Sequence, residues 1–218
     1  MPKLKVILVD DHAVVRMGFK LLLEACDDIE VVAEAENGEA ACQACDSIAA
    51  DVVVMDIAMP GMGGIEAIKR LSAKDSHVRI LALSAHEDIS HPMRALQAGA
   101  MGYLSKRSAP EVLIDAIRAL AKGQRYVDAQ IAQRIALQVI SGDKNPVEKL
   151  SPREFEVFVQ LARGQSVAQI SDTLNLSNST IGTHLYNIKQ KLGLSNQAEM
   201  TLLALRHGLI HINVHSHD

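Results

Sequence analysis

The stretch Val52-Val53-Val54-Met55-Asp56, followed directly by Ile57-Ala58-Met59-Pro60-Gly61-Met62-Gly63-Gly64, decides how this chain folds. A short run of β-branched apolar residues ending in one carboxylate predicts a strand buried on both faces of a parallel sheet. The glycines and the proline that follow predict a loop. Because open α/β sheets bind ligands beside the carboxyl ends of their strands, Asp56 is the first candidate for a functional residue.

A second apolar run, Lys5-Val6-Ile7-Leu8-Val9, ends in the same way with Asp10 and Asp11. The carboxyl ends of parallel strands lie along one edge of the sheet, so we expect these two acids to meet Asp56 in one crevice. Three neighbouring carboxylates repel one another unless a cation lies between them, and oxygen ligands suit a hard ion such as Mg²⁺. The sequence therefore predicts a cation site at this edge.

Two more polar residues are expected at the same edge. Ser84 ends one predicted strand, and Lys106 follows the next one. A carboxylate nucleophile, metal-binding acids, a hydroxyl and an ammonium group suit acceptance of a phosphoryl group, because the charge on the phosphoryl oxygens needs cationic partners. Acids at strand ends also cap helices, but three acids, a serine and a lysine at the matching ends of four strands favour a functional site.

The pattern from residue 3 to about residue 122 alternates five times between strand and helix, which predicts a doubly wound parallel sheet with helices on both faces. The strands are expected at 5–9, 29–35, 52–56, 79–84 and 101–104, and the helices at about 14–25, 38–48, 64–71, 92–98 and 110–122.

The most polar, turn-rich stretch of the chain is Ser141-Gly142-Asp143-Lys144-Asn145-Pro146, and residues 128–141 before it have a helical pattern. We interpret this stretch as a flexible linker. The predicted domains are residues 1–124, a linker helix with a flexible linker over 125–147, and a second domain over 148–218.

The second domain has a helical period throughout. Ser151-Pro152-Arg153-Glu154 predicts a helix start with a capping box, and three further helices are expected over 167–174, 179–192 and 197–207. Asn175-Leu176-Ser177-Asn178 is a turn of the length that joins the two helices of a helix-turn-helix. In that motif the second helix enters the major groove of DNA.

Charge and hydropathy restrict the function classes. The net charge of the 218 residues is −4; residues 1–146 hold 16 basic and 20 acidic residues, and the rest hold six of each. The second domain is therefore not strongly basic, and DNA binding would depend on where its few cations lie. No run approaches the roughly 20 apolar residues of a membrane span, and the first residues lead straight into a strand, so we expect a cytoplasmic protein without membrane association.

Two other groups of residues invite a metal or redox interpretation. Cys42 and Cys45 lie three residues apart within a predicted helix, where they act either as a redox or metal pair or as small apolar fillers, and we favour fillers. The C-terminal end carries four histidines that could chelate metal but that we interpret as a solvated tail. They are His207, His211, His215 and His217.

Five motifs together resemble the NarL/FixJ family of two-component response regulators, with a receiver domain over residues 3–122 and a LuxR-type four-helix domain over 148–210. The motifs are Val9-Asp10-Asp11-His12, Met55–Gly64, Leu83-Ser84-Ala85, Gly99–Lys106 and Leu150–Glu154. The resemblance implies a five-stranded receiver sheet in the flavodoxin-like order 2-1-3-4-5, beside a small all-α helix-turn-helix domain.

The resemblance also assigns roles at the acidic edge. Asp56 would accept a phosphoryl group from the phosphohistidine of a sensor histidine kinase, and Ser84 and Lys106 would bind the phosphoryl oxygens. Tyr103 would turn inward as a switch residue. The ligands of Mg²⁺ would be Asp10, Asp11, Asp56 and the backbone carbonyl of Ala58.

The residues 179–192 match the family's recognition helix. Leu185, Ile188 and Leu192 are expected in the core, and the candidate DNA contacts are Ser179, Thr180, Thr183, Tyr186, Asn187 and Lys189. Three residues depart from the family pattern. Gly182 stands where lysine is usual, Gln197 where arginine is common, and Arg107 where a proline often follows the lysine.

The function that follows is a phosphorylation-activated DNA-binding transcription regulator, with double-stranded DNA and a histidine kinase as partners. Because a single copy has few cations, we expect phosphorylation to favour a homodimer whose two copies bind adjacent half-sites. The resemblance places the dimer contact on the last helix, with Leu202, Leu203 and Leu205, although packing in their own core also explains some of these leucines. No enzymatic activity beyond slow self-dephosphorylation is expected. The alternative is a phosphorylation-dependent protein-binding adaptor whose second domain no longer binds DNA.

Overall fold

The computed structural model describes residues 2–75, 78–85, 90–141 and 146–210. The chain divides near residue 136 into two compact units. The predicted linker residues 142–145 and the histidines His211, His215 and His217 lie outside the described ranges. Within those ranges, every helix is too short or too polar to cross a membrane.

The first unit is a parallel sheet with helices on both faces. Its strands are β1 (Leu4–Val9), β2 (Ile29–Ala35), β3 (Val52–Asp56), β4 (Ile80–Ser84), β5 (Gly102–Ser105) and β6 (Tyr126–Val127), in the order β2-β1-β3-β4-β5-β6. The helices are α1 (Ala13–Glu24), α2 (Gly38–Ser47), α3 (Gly64–Lys74), α4 (Ser90–Ala98), α5 (Pro110–Ala121) and α6 (Ala129–Ser141). The predicted strand order is confirmed.

The sheet has one strand more than the five that the sequence predicts. β6 is only two residues long, and it pairs with β5 through Gly102 and Tyr103. Two residues are too few to produce a period that distinguishes a strand from a loop. Several helix ends also differ by a few residues, the largest shift being α3, which continues to Lys74 rather than ending at about residue 71.

The alternation of side chains along the central strands explains why the sheet has a hydrophobic core on each face. Ile7 and Val9 of β1 pack in a core with residues of α2, α3 and α4, whereas Val6 and Leu8 pack with residues of α1 and α5. Because successive side chains of a strand point to opposite faces, each central strand contributes to both cores. All five residues of β3 are buried, as its β-branched sequence predicts.

The second unit includes the last residues of α6. It then consists of a 3₁₀ turn, Pro146–Lys149, and the helices α7 (Pro152–Ala162), α8 (Val167–Leu174), α9 (Asn178–Leu192) and α10 (Gln197–Arg206). The capping box at Ser151 is present in both directions. The C-cap of α8 is Asn175, whose φ of 51° is left-handed, so the chain turns sharply before α9. Phe155, Phe158 and the isoleucines of α8 and α9 fill the core.

The two cysteines of α2 are free thiols, and Cys42 and Cys45 both pack against the core on that face of the sheet. Burial raises the pKa of Cys45 to about 11, so its thiolate is scarce at neutral pH. The filler interpretation therefore fits this pair better than a reactive one.

Candidate functional site

The register of the sheet brings the predicted residues to one edge. Val9 of β1 pairs with Met55 of β3. Asp10 follows Val9 and Asp56 follows Met55, so the two acids lie side by side at the ends of neighbouring strands. On the other side, Asp56 pairs with Leu83, the residue before Ser84. Ser84 in turn pairs with Ser105, the last residue of β5, and Lys106 follows it.

Lys106 bridges two of the acids. Its Nζ lies 2.6 Å from Oδ2 of Asp10 and 2.7 Å from Oδ2 of Asp56. The side chains of Asp10 and Asp56 are only 4% and 2% exposed, and that of Lys106 is 14% exposed. These ion pairs are thus largely shielded from water, where charge interactions are stronger.

Burial raises the pKa of Asp56 to about 6, although the ion pair with Lys106 and the N–H of Ala58 act in the opposite direction. For Lys106, burial by itself lowers the pKa, but its contacts with Asp56 and Asp10 outweigh burial and raise it. At neutral pH both groups are therefore mainly charged, while Asp56 is held at a substantial desolvation cost.

The two oxygens of Asp56 have different partners. Oδ2 faces Lys106, whereas Oδ1 accepts a hydrogen bond from the N–H of Ala58 at 3.0 Å. This contact fixes the orientation of the carboxylate and brings the backbone of residue 58 beside it. The expectation that Ala58 offers its carbonyl at this site is compatible with that placement.

A cluster of four side chains could hold a cation. One ligand atom from each of Asp10, Asp11, His12 and Asp56 lies within 4.8 Å of the others. Oδ1 of Asp11 is buried and accepts no hydrogen bond with good geometry from the described residues, although Nδ1 of His12 lies 2.8 Å away. A buried carboxylate oxygen that lacks a donor, close to two further carboxylates, fits a hard cation such as Mg²⁺.

His12 is the member of this cluster to which the sequence analysis assigned no role. The sequence does place His12 directly after Asp11. Its contact with the acids could not be predicted, because a side chain next to a strand end can point in several directions. In the structure it is the N-cap of α1 without a side-chain capping bond, and its ring turns toward Asp11.

The two remaining predicted residues are buried. Ser84 is fully buried at the end of β4, and its carbonyl accepts a hydrogen bond from the N–H of Lys106 at 2.8 Å. Tyr103 is also fully buried, within the core beside α2, α3 and α4. The peptide bond between Lys106 and Arg107 is trans, as are the other described peptides.

The candidate DNA contacts lie on α9. Ser179, Thr183 and Tyr186 are exposed, and Thr180, Asn187 and Lys189 are half-buried. Of the three residues expected in the core, Ile188 is fully buried and Leu185 and Leu192 are partly buried against the same core. The hydroxyl of Thr183 donates to the carbonyl of Ser179 at 3.1 Å, which leaves its oxygen able to accept a hydrogen bond from a partner.

A second lysine of α9 has a structural partner. Nζ of Lys191 lies 2.6 Å from Oε2 of Glu154, the buried capping residue of α7. Burial alone raises the pKa of Glu154, but Lys191 and the capping hydrogen bonds from Ser151 lower it below its ordinary value. The ion pair of Lys191 with Glu154 thus links α9 to α7.

The departures from the family pattern have different surroundings. A Cβ added at Gly182 would meet nothing within 4 Å, so a larger residue fits there. Gln197 has a structural role, because its Nε2 donates at 2.8 Å to the carbonyl of Leu161 near the end of α7. Of the three leucines of α10, Leu202 is 67% exposed, whereas Leu203 packs against the core.

Comparisons with known proteins agree with this architecture. Residues 6–118 match the response regulator receiver domain family, and residues 148–204 match the luxR family of bacterial regulatory proteins. The chain is 43% identical over 208 residues to the response regulator UvrY of Escherichia coli K12, which covers 94% of this chain and 95% of UvrY.

Two solved structures of the response regulator RcsB are also similar. RcsB from Salmonella enterica serovar Typhimurium, bound to promoter rprA in the presence of the phosphomimetic BeF3⁻, has a TM-score of 0.64 and 26% identity over 92% of this chain and 98% of that one. A structure of two RcsB dimers bound to two parallel DNAs has a TM-score of 0.58 and 28% identity, covering 93% and 98% of the two chains.

Proposed function

This chain belongs to the bacterial response regulators that join a receiver domain to a LuxR-type DNA-binding domain, and we propose that Asp56 is its phosphoryl acceptor. It is accordingly a phosphorylation-dependent DNA-binding regulator of a two-component system. Among the described residues, the observation that carries the assignment to Asp56 is the bridge from Lys106 to Asp10 and Asp56 at the strand ends.

In the proposed reaction an oxygen of the Asp56 carboxylate attacks the phosphorus of a phosphohistidine on a sensor histidine kinase. A bond from this oxygen to phosphorus forms, the bond from phosphorus to the imidazole nitrogen breaks, and the bonding electrons leave with the imidazole. The product is an acyl phosphate on Asp56. The reaction needs the carboxylate in its ionised form, which Lys106 favours and burial opposes.

Asp10, Asp11, Asp56 and the carbonyl of Ala58 would hold Mg²⁺, and the arrangement of the three acids supports this set. When bound, the ion neutralises charge on the transferred group. Lys106 and the hydroxyl of Ser84 would bind the remaining phosphoryl oxygens. The new dianionic group competes with the carboxylates for Lys106, so the ion pair with Asp10 has to rearrange.

That rearrangement is the proposed origin of the switch. Ser84 ends β4, and its carbonyl is hydrogen bonded to the backbone of Lys106, so a shift of either residue moves both strand ends. Tyr103, which is buried on the neighbouring strand, would follow this shift. A local change of charge thereby selects between two packings of the receiver domain.

We further propose that phosphorylation favours a homodimer that binds DNA through α9. A solved structure of RcsB dimers bound to DNA supports the dimeric form. Such a protein works in the cytoplasm, where it meets both the kinase and DNA. The acyl phosphate would be lost by slow hydrolysis. The proposed boundaries are residues 1–124 for the receiver, 125–147 for the linker and 148–218 for the DNA-binding domain.

The adaptor alternative is not favoured, because RcsB is similar over nearly the whole chain and its solved structure contains a promoter. Duplex DNA binding that weakens as salt is added supports the regulator, because the contacts with phosphates release counterions. Absence of duplex binding after full phosphorylation would support the adaptor.

The role of Asp56 is tested by incubating the full chain with acetyl phosphate and Mg²⁺ and locating the added phosphoryl group by mass spectrometry. We expect labelling of the wild type, none of Asp56→Asn, and full labelling of the control Asp115→Asn, which changes an exposed acid of α5. Labelling of Asp56→Asn at the wild-type level would remove Asp56 from this role.

A further inference from the structure

The loop that joins β3 to α3 is attached to the first turn of α2. In this loop, the carbonyl of Met62 accepts a hydrogen bond from the N–H of Gly38 at 3.1 Å. The N–H of Met62 donates to the carboxylate of Glu39, with distances of 2.9 and 3.2 Å to its two oxygens. Both polar groups of one loop residue are therefore held by the first two residues of a neighbouring helix.

The contact requires a close approach of two backbones. A Cβ at Gly38 would lie 2.5 Å from the carbonyl oxygen of Met62, which is too short for any residue but glycine. Gly61, the residue before Met62, has a left-handed φ of 70°, and a Cβ there would lie 3.4 Å from a carboxylate oxygen of Glu39. Glu39 thus lies against the left-handed bend of the loop at Gly61.

The same loop packs onto the backbone of Asp56 at its other end. A Cβ at Gly64 would lie only 2.0 Å from the carbonyl oxygen of Asp56, and the N–H of Gly64 donates to the carbonyl of Ile57 at 3.2 Å. Only Gly63 separates Met62 from this contact. A shift of Met62 is therefore transmitted to the backbone that carries Asp56 and Ala58.

Helix capping does not explain Glu39. Asn37 is the N-cap of α2, and its side chain accepts from the N–H of Ala40, so the helix start already has its capping bond. The carboxylate of Glu39 instead leaves its own helix to reach a residue 23 positions away. Charge-assisted hydrogen bonds of this kind are stronger than neutral ones.

We propose that Glu39 is a positioning residue of the phosphoryl-acceptor site: its carboxylate fixes the loop that carries Ala58 and thereby sets the affinity for Mg²⁺. This inference rests on the proposed function, because it assumes the ligand set of Asp10, Asp11, Asp56 and Ala58. Residues that orient metal ligands typically change metal affinity by about 10- to 100-fold when they are removed.

The test is calorimetric titration of the full chain with Mg²⁺ alone, at a temperature where circular dichroism shows each variant to be folded. We expect Glu39→Ala to weaken Mg²⁺ binding about tenfold. Glu39→Asp keeps the charge in the first turn but shortens the side chain, so it should weaken binding by a smaller factor and guards against a failure of Glu39→Ala to fold. Glu39→Gln, whose amide oxygen still accepts from Met62, should restore most of the affinity.

Glu66→Ala is the matched control, because Glu66 is also a first-turn acid, but in α3, and its described partner is Arg70 of the same helix. Wild-type affinity in Glu39→Ala and Glu39→Asp, or an equal loss in Glu66→Ala, would overturn the proposal. Faster amide hydrogen exchange at Met62 in Glu39→Ala and Glu39→Asp, observed by NMR, would support it.

Labelling by acetyl phosphate distinguishes a failure of the proposed function from a failure of the positioning role of Glu39. If the wild type accepts no phosphoryl group at Asp56 while Mg²⁺ affinity still depends on Glu39, the proposed function fails and the positioning role stands. If Asp56 is labelled and the Glu39 variants bind Mg²⁺ as the wild type does, only the positioning role fails.

Discussion

Asp56 combines two requirements that oppose each other. Its carboxylate must be ionised to attack phosphorus, yet its side chain is almost completely buried, and this burial raises its pKa to about 6. Lys106 offsets part of the cost through the 2.7 Å ion pair. A bound divalent cation would offset more of it, because a neighbouring positive charge favours the ionised form.

The stability of the metal-free receiver should therefore depend on the protonation of Asp56. Its folded pKa of about 6 exceeds the ordinary 3.8, so the stabilisation from its proton is complete below the lower value and lost as pH rises through the higher one. Asp56→Asn should then increase the free energy of unfolding relative to the wild type by about 3 kcal/mol at neutral pH, and by much less near pH 4.

Calorimetric unfolding of both proteins in the presence of a chelator, at the two pH values, measures this difference. An equal effect of Asp56→Asn at both pH values would show that burial does not raise the pKa of Asp56.

At the level of residues, the sequence predicted the acidic edge well. Asp10, Asp56 and Lys106 each stand at the end of an apolar run, and parallel strands bring such ends together regardless of the details of packing. The contact of Glu39 with Met62 could not be predicted, because it depends on how closely α2 approaches a loop 23 residues away.

At the scale of the elements, α9 has few of the cations with which a recognition helix binds the phosphates of DNA. Its candidate contacts are mainly uncharged, and Lys191 is paired with Glu154. Gly182 lies on its exposed surface with open space around it. Gly182 therefore has two effects on α9: it lowers the stability of the helix, and it leaves out the positive charge of the lysine that is usual in the family.

Substitutions at Gly182 should separate these two effects. Gly182→Ala should stabilise the DNA-binding domain by about 1 kcal/mol through helix propensity, because the added Cβ meets no neighbour. Gly182→Lys should stabilise it similarly and also steepen the dependence of DNA affinity on salt by about one counterion.

Thermal unfolding and duplex titrations at several salt concentrations measure both quantities. A salt dependence of Gly182→Lys equal to that of Gly182→Ala would mean that this position of α9 does not face the DNA backbone.

The sequence predicts an element when its apolar residues follow a regular pattern or when it has a clear capping residue. An element that lacks both features could not be predicted. The capping box at Ser151 and the buried run of β3 have local causes, so the sequence alone was sufficient for them. β6 has only two residues and exists because β5 offers a free edge for pairing, which is a property of the assembled sheet.

At the scale of the whole molecule, two weakly binding copies gain affinity when they are joined. The second domain holds equal numbers of basic and acidic residues, so one copy should bind DNA weakly. Dimerisation would place two such domains on adjacent half-sites and would make the second contact intramolecular. Phosphorylation can therefore control DNA binding without touching the DNA interface itself.

We expect Lys106 to couple the phosphorylation of Asp56 to dimerisation. Lys106→Ala should keep the fold and still accept a phosphoryl group, but its dimer fraction should rise less on phosphorylation because the acyl phosphate lacks its cationic partner. Analytical ultracentrifugation with and without acetyl phosphate measures the dimer fraction, and Lys122→Ala, at the exposed end of α5, is the control. A dimer fraction equal to that of the wild type would argue against coupling through Lys106.

The central claim, that phosphorylation of Asp56 controls DNA binding, is tested most directly with a duplex selected from a random pool by the phosphorylated protein. Its affinity should rise about tenfold or more when the wild type is treated with acetyl phosphate and Mg²⁺, and should not change when Asp56→Asn is treated in the same way. Equal affinities of fully phosphorylated and unphosphorylated wild type would contradict the account.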